Sequence, residues 1–264
     1  MSELAKRLLT GGALALLVLF LIFKSPTGFV LLMVAVAAIG VYEFLKLIQT
    51  STGNKLIAIA VLALSSYFII ITPTIVDDDS FANMIYIAVL SIVCLWWLNN
   101  FWMIAHYPNS KPATMFTPLK PALLFLPLFL LSLLESNLIL LLFLIVWGAD
   151  SFAYFSGRAF GKRKLAPNLS GGKTIEGVVG GLISVLLIAG VWMFSYNESN
   201  WLFLLLALIT GIFSVMGDLY ESIYKREAGV KDSGNILPGH GGVFDRIDGL
   251  LAATPVFIMG AQFL

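Results

Sequence analysis

The residues best equipped for chemistry lie between Asp218 and Asp248. If a helix runs on from the apolar stretch before them, Asp218, Glu221, Ser222 and Lys225 fall at i, i+3, i+4 and i+7 and share one face. Beyond them come Arg226, Lys231, the run Gly239-His240-Gly241-Gly242, and then Asp245-Arg246-Ile247-Asp248. Burying carboxylates near a membrane boundary costs several kcal/mol unless each is paired or holds a cation. Hard oxygen ligands without a His or Cys partner suit Mg2+, which takes one or two carboxylates plus substrate phosphates and water. Asp218 with Asp245 and Asp248 would hold one ion, with a second metal or a monovalent ion as a variant. A two-metal clamp would stabilise the attacking and leaving oxygens of an in-line displacement at phosphorus. Helix capping and Arg–Asp pairing stay open as the structural alternative for Asp218 and Asp248.

Lys225, Arg226, Lys231 and Arg246 form a candidate phosphate clamp, since Arg forks onto phosphate oxygens and Lys supplies point charge. Contact with anionic lipid is the competing use of such a cluster. The glycines favour the clamp: Gly239, Gly241 and Gly242 let backbone N–H groups turn toward an anion, and a helix opening near Val243 adds a positive dipole end. His240 is placed to reach a ligand or move a proton near neutral pH, or simply to orient a neighbour.

A second constellation runs from Asp150 through Tyr154, Gly157 and Lys162 to Ser170-Gly171-Gly172-Lys173-Thr174 and Glu176. Asp150, Tyr154 and Gly157 follow i, i+4, i+7, and a charge so deep in an apolar helix is a functional candidate. Residues 170–174 are not a Walker loop, because Pro167 occupies the first glycine position. Glu43 and Lys46 read as a structural i, i+3 pair. Trp96, Trp97, Trp102 and Tyr107 read as an interfacial aromatic belt.

These groups need a frame, and the composition says which. Of 264 residues, 59% are hydrophobic and 12% charged, with a mean hydropathy of +0.94. Soluble domains run about 45–50% apolar and about 25% charged, so the bilayer is the solvent. Net charge +1 argues neither for a basic nucleic-acid binder nor for an acidic disordered chain. The one cysteine, Cys94, excludes an internal disulfide framework and a Cys-based zinc site. No small-residue cleavage site follows the first apolar run, which is expected to be retained.

Apolar runs at 9–23, 28–48, 56–76, 84–104, 121–134, 138–157, 177–194, 201–220 and 245–264 predict an all-α polytopic membrane protein of about nine transmembrane helices. The fifth, with Pro121 and Pro127, reads as tilted or re-entrant. With the N-terminus in the cytoplasm, every Lys and Arg except Lys24 falls on the cytoplasmic side, while Asp77, Asp78, Asp79, Glu135 and Glu198 fall outside. Residues 1–135 then form a transmembrane scaffold, and 136–264 a catalytic region with cytoplasmic loops 157–176 and 221–244.

The stretch from Ser222 to Asp248 closely resembles the signature of phosphatidate cytidylyltransferases, the CDP-diglyceride synthases. It shares Ser222, Lys225-Arg226, Lys231-Asp232, His240-Gly241-Gly242 and Asp245-Arg246-Ile247-Asp248. Asp150, Ala153-Tyr154, Gly157, Phe160-Gly161, Lys173-Thr174 and Glu176-Gly177 are similar to a second part of that pattern. Tyr224 and Gly171 depart from it without removing a functional group, and the likeness is clear over residues 148–248. It implies an Mg2+-dependent transfer of CMP from CTP to phosphatidic acid at an inner-membrane, cytoplasm-facing site, among membrane lipids and without nucleic acid. It further implies catalytic roles for Asp218, Lys225, Arg226, Lys231, His240, Asp245, Arg246 and Asp248. Asp150, Tyr154, Lys173, Glu176, Ser222, Gly241 and Gly242 would line the substrate cavity. Association as a homodimer stays open. So do two rivals: a CTP-dependent lipid kinase, and a transporter using Asp150 and Asp218 as ion sites.

Overall fold

A computed structural model describes residues 3–75, 79–112, 117–237, 239 and 241–264. His240, Asp77 and Asp78 lie outside the described residues. The chain is an all-α polytopic membrane protein. Its described helices are α1 (Glu3–Lys24), α2 (Pro26–Leu47), α3 (Thr52–Ile75), α4 (Asp79–Ala105), α5 (Lys120–Leu130), α6 (Ser136–Phe160), α7 (Ile175–Tyr196), α8 (Leu202–Glu227) and α9 (Phe244–Ala261). Among the described residues five stretches are long and apolar enough to cross a bilayer: Pro26–Leu47, Met84–Ala105, Ser136–Phe160, Ile175–Tyr196 and Leu202–Glu227. The 11 residues of α5 rise only about 16 Å at ~1.5 Å each, half of a ~30 Å hydrocarbon core. It is buried in protein along most of its length, so the segment with Pro121 and Pro127 is a short internal helix that a 3₁₀ turn (Leu131–Leu133) ends.

Local sequence explains the helix ends near the functional residues. Ser25 caps α2 by accepting the Gly28 N–H at 3.2 Å, with Pro26 following at the first helical position. Thr174 does the same for α7, its Oγ1 accepting the Gly177 N–H at 3.1 Å. At the far end of α8, Gly229 takes φ +69°, which lets the Val230 N–H reach the Lys225 carbonyl (2.9 Å) and the Gly229 N–H reach Arg226 (3.1 Å). That cap stops α8 just beyond the Asp218–Lys225 face.

Residues 157–176, expected as a loop, contain an antiparallel hairpin, β1 (Lys164–Ala166) with β2 (Ser170–Thr174), paired Lys164 to Thr174 and Ala166 to Ser170. A lone hairpin is marginal in water. Side chains hold this one: the Glu176 carboxylate accepts the N–H groups of Lys162 (3.0 Å) and Arg163 (3.1 Å) and Arg163 Nε (3.0 Å), while Lys164 Nζ donates to the Gly171 carbonyl (2.7 Å).

The chain packs as two compact units that cut across its order. The first is Met1–Ala82, Ala113–Leu140 and Tyr224–Ile247; the second is Asn83–Pro112, Leu141–Ile223 and Asp248–Leu264. In the first, α5 lies on α2 and α3, and Phe125 fills the space left by the missing side chain of Gly40. Phe44 meets Tyr224 and Phe244 edge-on, with ring centroids 5.0 and 5.7 Å away. In the second, Trp97, read from sequence as part of an interfacial belt, is fully buried instead, against Trp96 and Tyr220. There, too, the α8 backbone at Gly217 presses on α9 at Asp248 and Gly249, an approach that leaves no room for a Cβ.

Candidate active site

In the first unit the focus is Asp245, in the opening turn of α9. Its Oδ1 accepts Lys225 Nζ at 2.7 Å, and its Oδ2 accepts the Ser233 N–H (2.8 Å), the Ser233 hydroxyl (2.9 Å) and the Gly242 N–H (2.8 Å). A second carboxylate comes from far away in sequence: Glu43 Oε2, on α2, accepts the Phe244 N–H at 2.8 Å and lies 3.3 Å from the Ser233 hydroxyl. Both acids sit where the free N–H groups and positive end of α9 favour negative charge. The loop between Ser233 and Gly242 turns on Gly239 and Gly241, at φ +76° and +80°, conformations that suit glycine. The turn closes with the Leu237 N–H on the Gly241 carbonyl at 2.9 Å. Arg226, Lys231 and Arg246 stand exposed on this unit.

In the second unit Lys173, on β2, pairs with Asp218, on α8, at 2.5 Å, and Ser222 Oγ lies 3.5 Å from the same carboxylate. The Asp248 carboxylate accepts the Gly249 N–H at 2.8 Å and has Asp218, Glu221, Asp150 and Lys173 as its electrostatic neighbours. Burial works against the charge on Lys173, yet the Asp218 carboxylate, aided by Asp150 and Asp248, outweighs it. The ammonium therefore titrates above the ordinary lysine value.

Carboxylates that outnumber the one ammonium among them would meet a phosphate only through a bound cation. The family model described as the cytidylyltransferase family matches residues 5–264. The chain belongs to the cytidylyltransferase family. It is similar to the phosphatidate cytidylyltransferase of Haemophilus influenzae, 56% identical over 128 residues that make up 46% of this chain and 44% of the relative. It is similar also to the Pseudomonas aeruginosa protein of that name, 42% identical over 182 residues (64% of this chain, 67% of the relative). The Staphylococcus haemolyticus protein of that name is 51% identical over 120 residues (45% and 46%). The chain thus spans about half the length of most of these curated relatives.

Along the chain the sequence candidates separate by unit. Asp150, Lys173, Asp218, Ser222 and Asp248 belong to the second, as do Glu176, which fastens the hairpin, and Tyr154, whose hydroxyl lies 3.4 Å from Arg158. Lys225, Arg226, Lys231, Gly241, Gly242, Asp245 and Arg246 belong to the first. The Gly242 N–H, expected to face an anion, donates to Asp245 instead, because a carboxylate three residues ahead satisfies it locally. Sequence reasoning missed Ser233 and the true partners of Glu43. The signal for Glu43 was available: it is the lone acid in the apolar run 28–48, and Lys46, assigned as its partner, is exposed while Glu43 is buried.

The donor chemistry around Asp248 suits a hard cation. Its three carboxylate neighbours, which offer oxygen ligands, outnumber its one ammonium neighbour. Among the described residues no group of three or more His, Cys, Asp or Glu is placed to hold a metal ion. Mg2+ is ordinarily completed by substrate phosphates and water.

Proposed function

We propose that this chain is a phosphatidate cytidylyltransferase, joining CTP and phosphatidic acid to give CDP-diacylglycerol and pyrophosphate at the cytoplasmic face of an inner membrane. The observation that carries this reading is the cytidylyltransferase match across residues 5–264, on which both polar clusters lie. An oxygen of the phosphatidate phosphate attacks the α-phosphorus of CTP, the α–β bridging bond breaks, and pyrophosphate leaves. No protein nucleophile is needed, so catalysis is positioning and charge stabilisation.

Asp218 and Asp248 would hold Mg2+, which when bound neutralises charge on phosphoryl oxygens. Asp245, the other carboxylate expected as a ligand, has both oxygens taken up by Lys225 and three loop donors, and serves to fasten the loop. Lys173 supplies a permanent positive charge beside Asp218 and steadies that carboxylate. Arg226, Lys231 and Arg246 bind triphosphate oxygens, and the loop of Gly241 and Gly242, fastened by Asp245, sets their spacing. His240 orients the triphosphate, and Asp150, Tyr154 and Ser222 border the substrates.

CTP labelled at the α-phosphorus or at the γ-phosphorus, supplied with phosphatidic acid and Mg2+ in detergent, decides the reaction class. Label enters the lipid only from the α-position if the reading holds. Transfer of the γ-label would make the protein a lipid kinase, and transfer of neither would remove the enzymatic reading.

A further inference from the structure

We infer that Glu43, on an N-terminal helix remote in sequence from the signature, is a positioning residue for the triphosphate-binding loop. The inference rests on the proposed use of that loop for CTP. Glu43 is 1% exposed, and burying a carboxylate is costly unless its partners repay it. Its Oε2 takes the Phe244 N–H at 2.8 Å, a bond spanning 201 residues, and lies 3.3 Å from the Ser233 hydroxyl. That hydroxyl and the Ser233 N–H are also bound by Asp245 Oδ2, which in turn takes the Gly242 N–H. One serine therefore joins the two acids, and together they tie both ends of the loop, at Ser233 and at Gly242 to Phe244.

Sterics support the same role. The Glu43 carboxylate lies against Gly234 and Gly242 so closely that neither position has space for a Cβ. Glu43 Oε1 has no hydrogen-bond partner among the described residues, so the acid acts on the loop through Oε2 and through contact. Phe44, the next residue, packs edge-on against Tyr224 and Phe244 and holds this part of α2 against the loop. Lys231 lies two residues before Ser233 and Arg246 two after Phe244, so slack in the tie moves the cations meant for phosphate. Displacement of such groups by about 1 Å costs on the order of 100-fold in rate.

Glu43→Ala, Glu43→Gln and Ser233→Ala in the full chain in detergent test the inference. Hydrogen exchange of peptides covering residues 231–245 should rise in Glu43→Ala, while peptides covering Lys164–Thr174 stay as in the wild type. The KM for CTP should rise about tenfold or more, with the KM for phosphatidic acid within about twofold. Glu43→Gln, which retains a carbonyl acceptor, should recover much of the loss. Adding Ser233→Ala to Glu43→Ala should cost less than the sum of the singles. Unchanged exchange at 231–245, or a rise spread equally over the hairpin, overturns the role of Glu43. Exchange is read without turnover, so absence of CTP incorporation by the wild type would overturn the proposed reaction and leave the positioning role measurable.

Discussion

Asp218 and Asp245 have different surroundings, and their substitution should fail in different ways. Asp218 is part-exposed where it pairs with Lys173, so losing its charge costs the fold less than losing that of a fully buried acid. Asp218→Asn should keep the fold and lower turnover by about 100-fold or more, the scale of losing one charged stabiliser of a transition state. Asp245 is 4% exposed and accepts one ammonium and three loop donors. Asn there would aim an amide NH2 at donors or at Lys225, and breaking a buried pair costs about 3–5 kcal/mol. Thermal unfolding in detergent should show Asp245→Asn clearly less stable than Asp218→Asn; equal melting would remove the fastening role of Asp245. Lys173 gives a pH signature. Its folded pKa lies above the ordinary value of 10.5, so the stability it contributes is whole below that pH and fades as pH climbs through the folded value. The wild type should lose more stability above about pH 10.5 than Lys173→Met, with parallel profiles below it.

Helices were the most legible elements, because their evidence is periodic and long. The 26 residues of α8 run unbroken to Glu227, so the Asp218–Lys225 face exists as spacing alone required, and α9 opens at Phe244, one residue from the expected start. The hairpin was illegible: three- and five-residue strands, the second Ser-Gly-Gly-Lys-Thr, carry no alternation, and the element depends on Glu176, Lys164 and Arg163 rather than on strand propensity. The close approach of α8 to α9 was also hidden, since Gly217 looks like any glycine in an apolar run until Asp248 is seen against it. Gly217→Ala forces a methyl onto the α9 backbone, and overpacking of this kind costs about 1–3 kcal/mol. Thermal melting should fall accordingly, and turnover should fall further than the melting implies, because the displaced residue is Asp248. A variant with wild-type melting and turnover would show that the helices can separate at no cost.

At the scale of the whole chain, a net charge of +1 conceals segregation that the folded helices make testable. Residues such as Leu187, Val191 and Phe194 on α7 are exposed, as suits a helix in lipid rather than water. The clusters that matter sit at helix ends, Lys173 and Glu176 before and at the start of α7, Asp218 to Lys225 late in α8, and Asp245 to Asp248 early in α9. If Lys and Arg mark the cytoplasmic side, the short buried α5 must still carry the chain across the bilayer, and Lys24 is then the one cation outside. Orientation therefore makes one prediction for several clusters at once. In a Cys94→Ser background, a cysteine placed at the exposed hairpin residue Lys164 should resist a membrane-impermeant maleimide in intact spheroplasts and react after permeabilisation. One placed at Glu198, in the turn after α7, should react in both. Labelling of the hairpin in intact cells would put the carboxylate cluster on the side away from CTP, and the proposed reaction would fail with it.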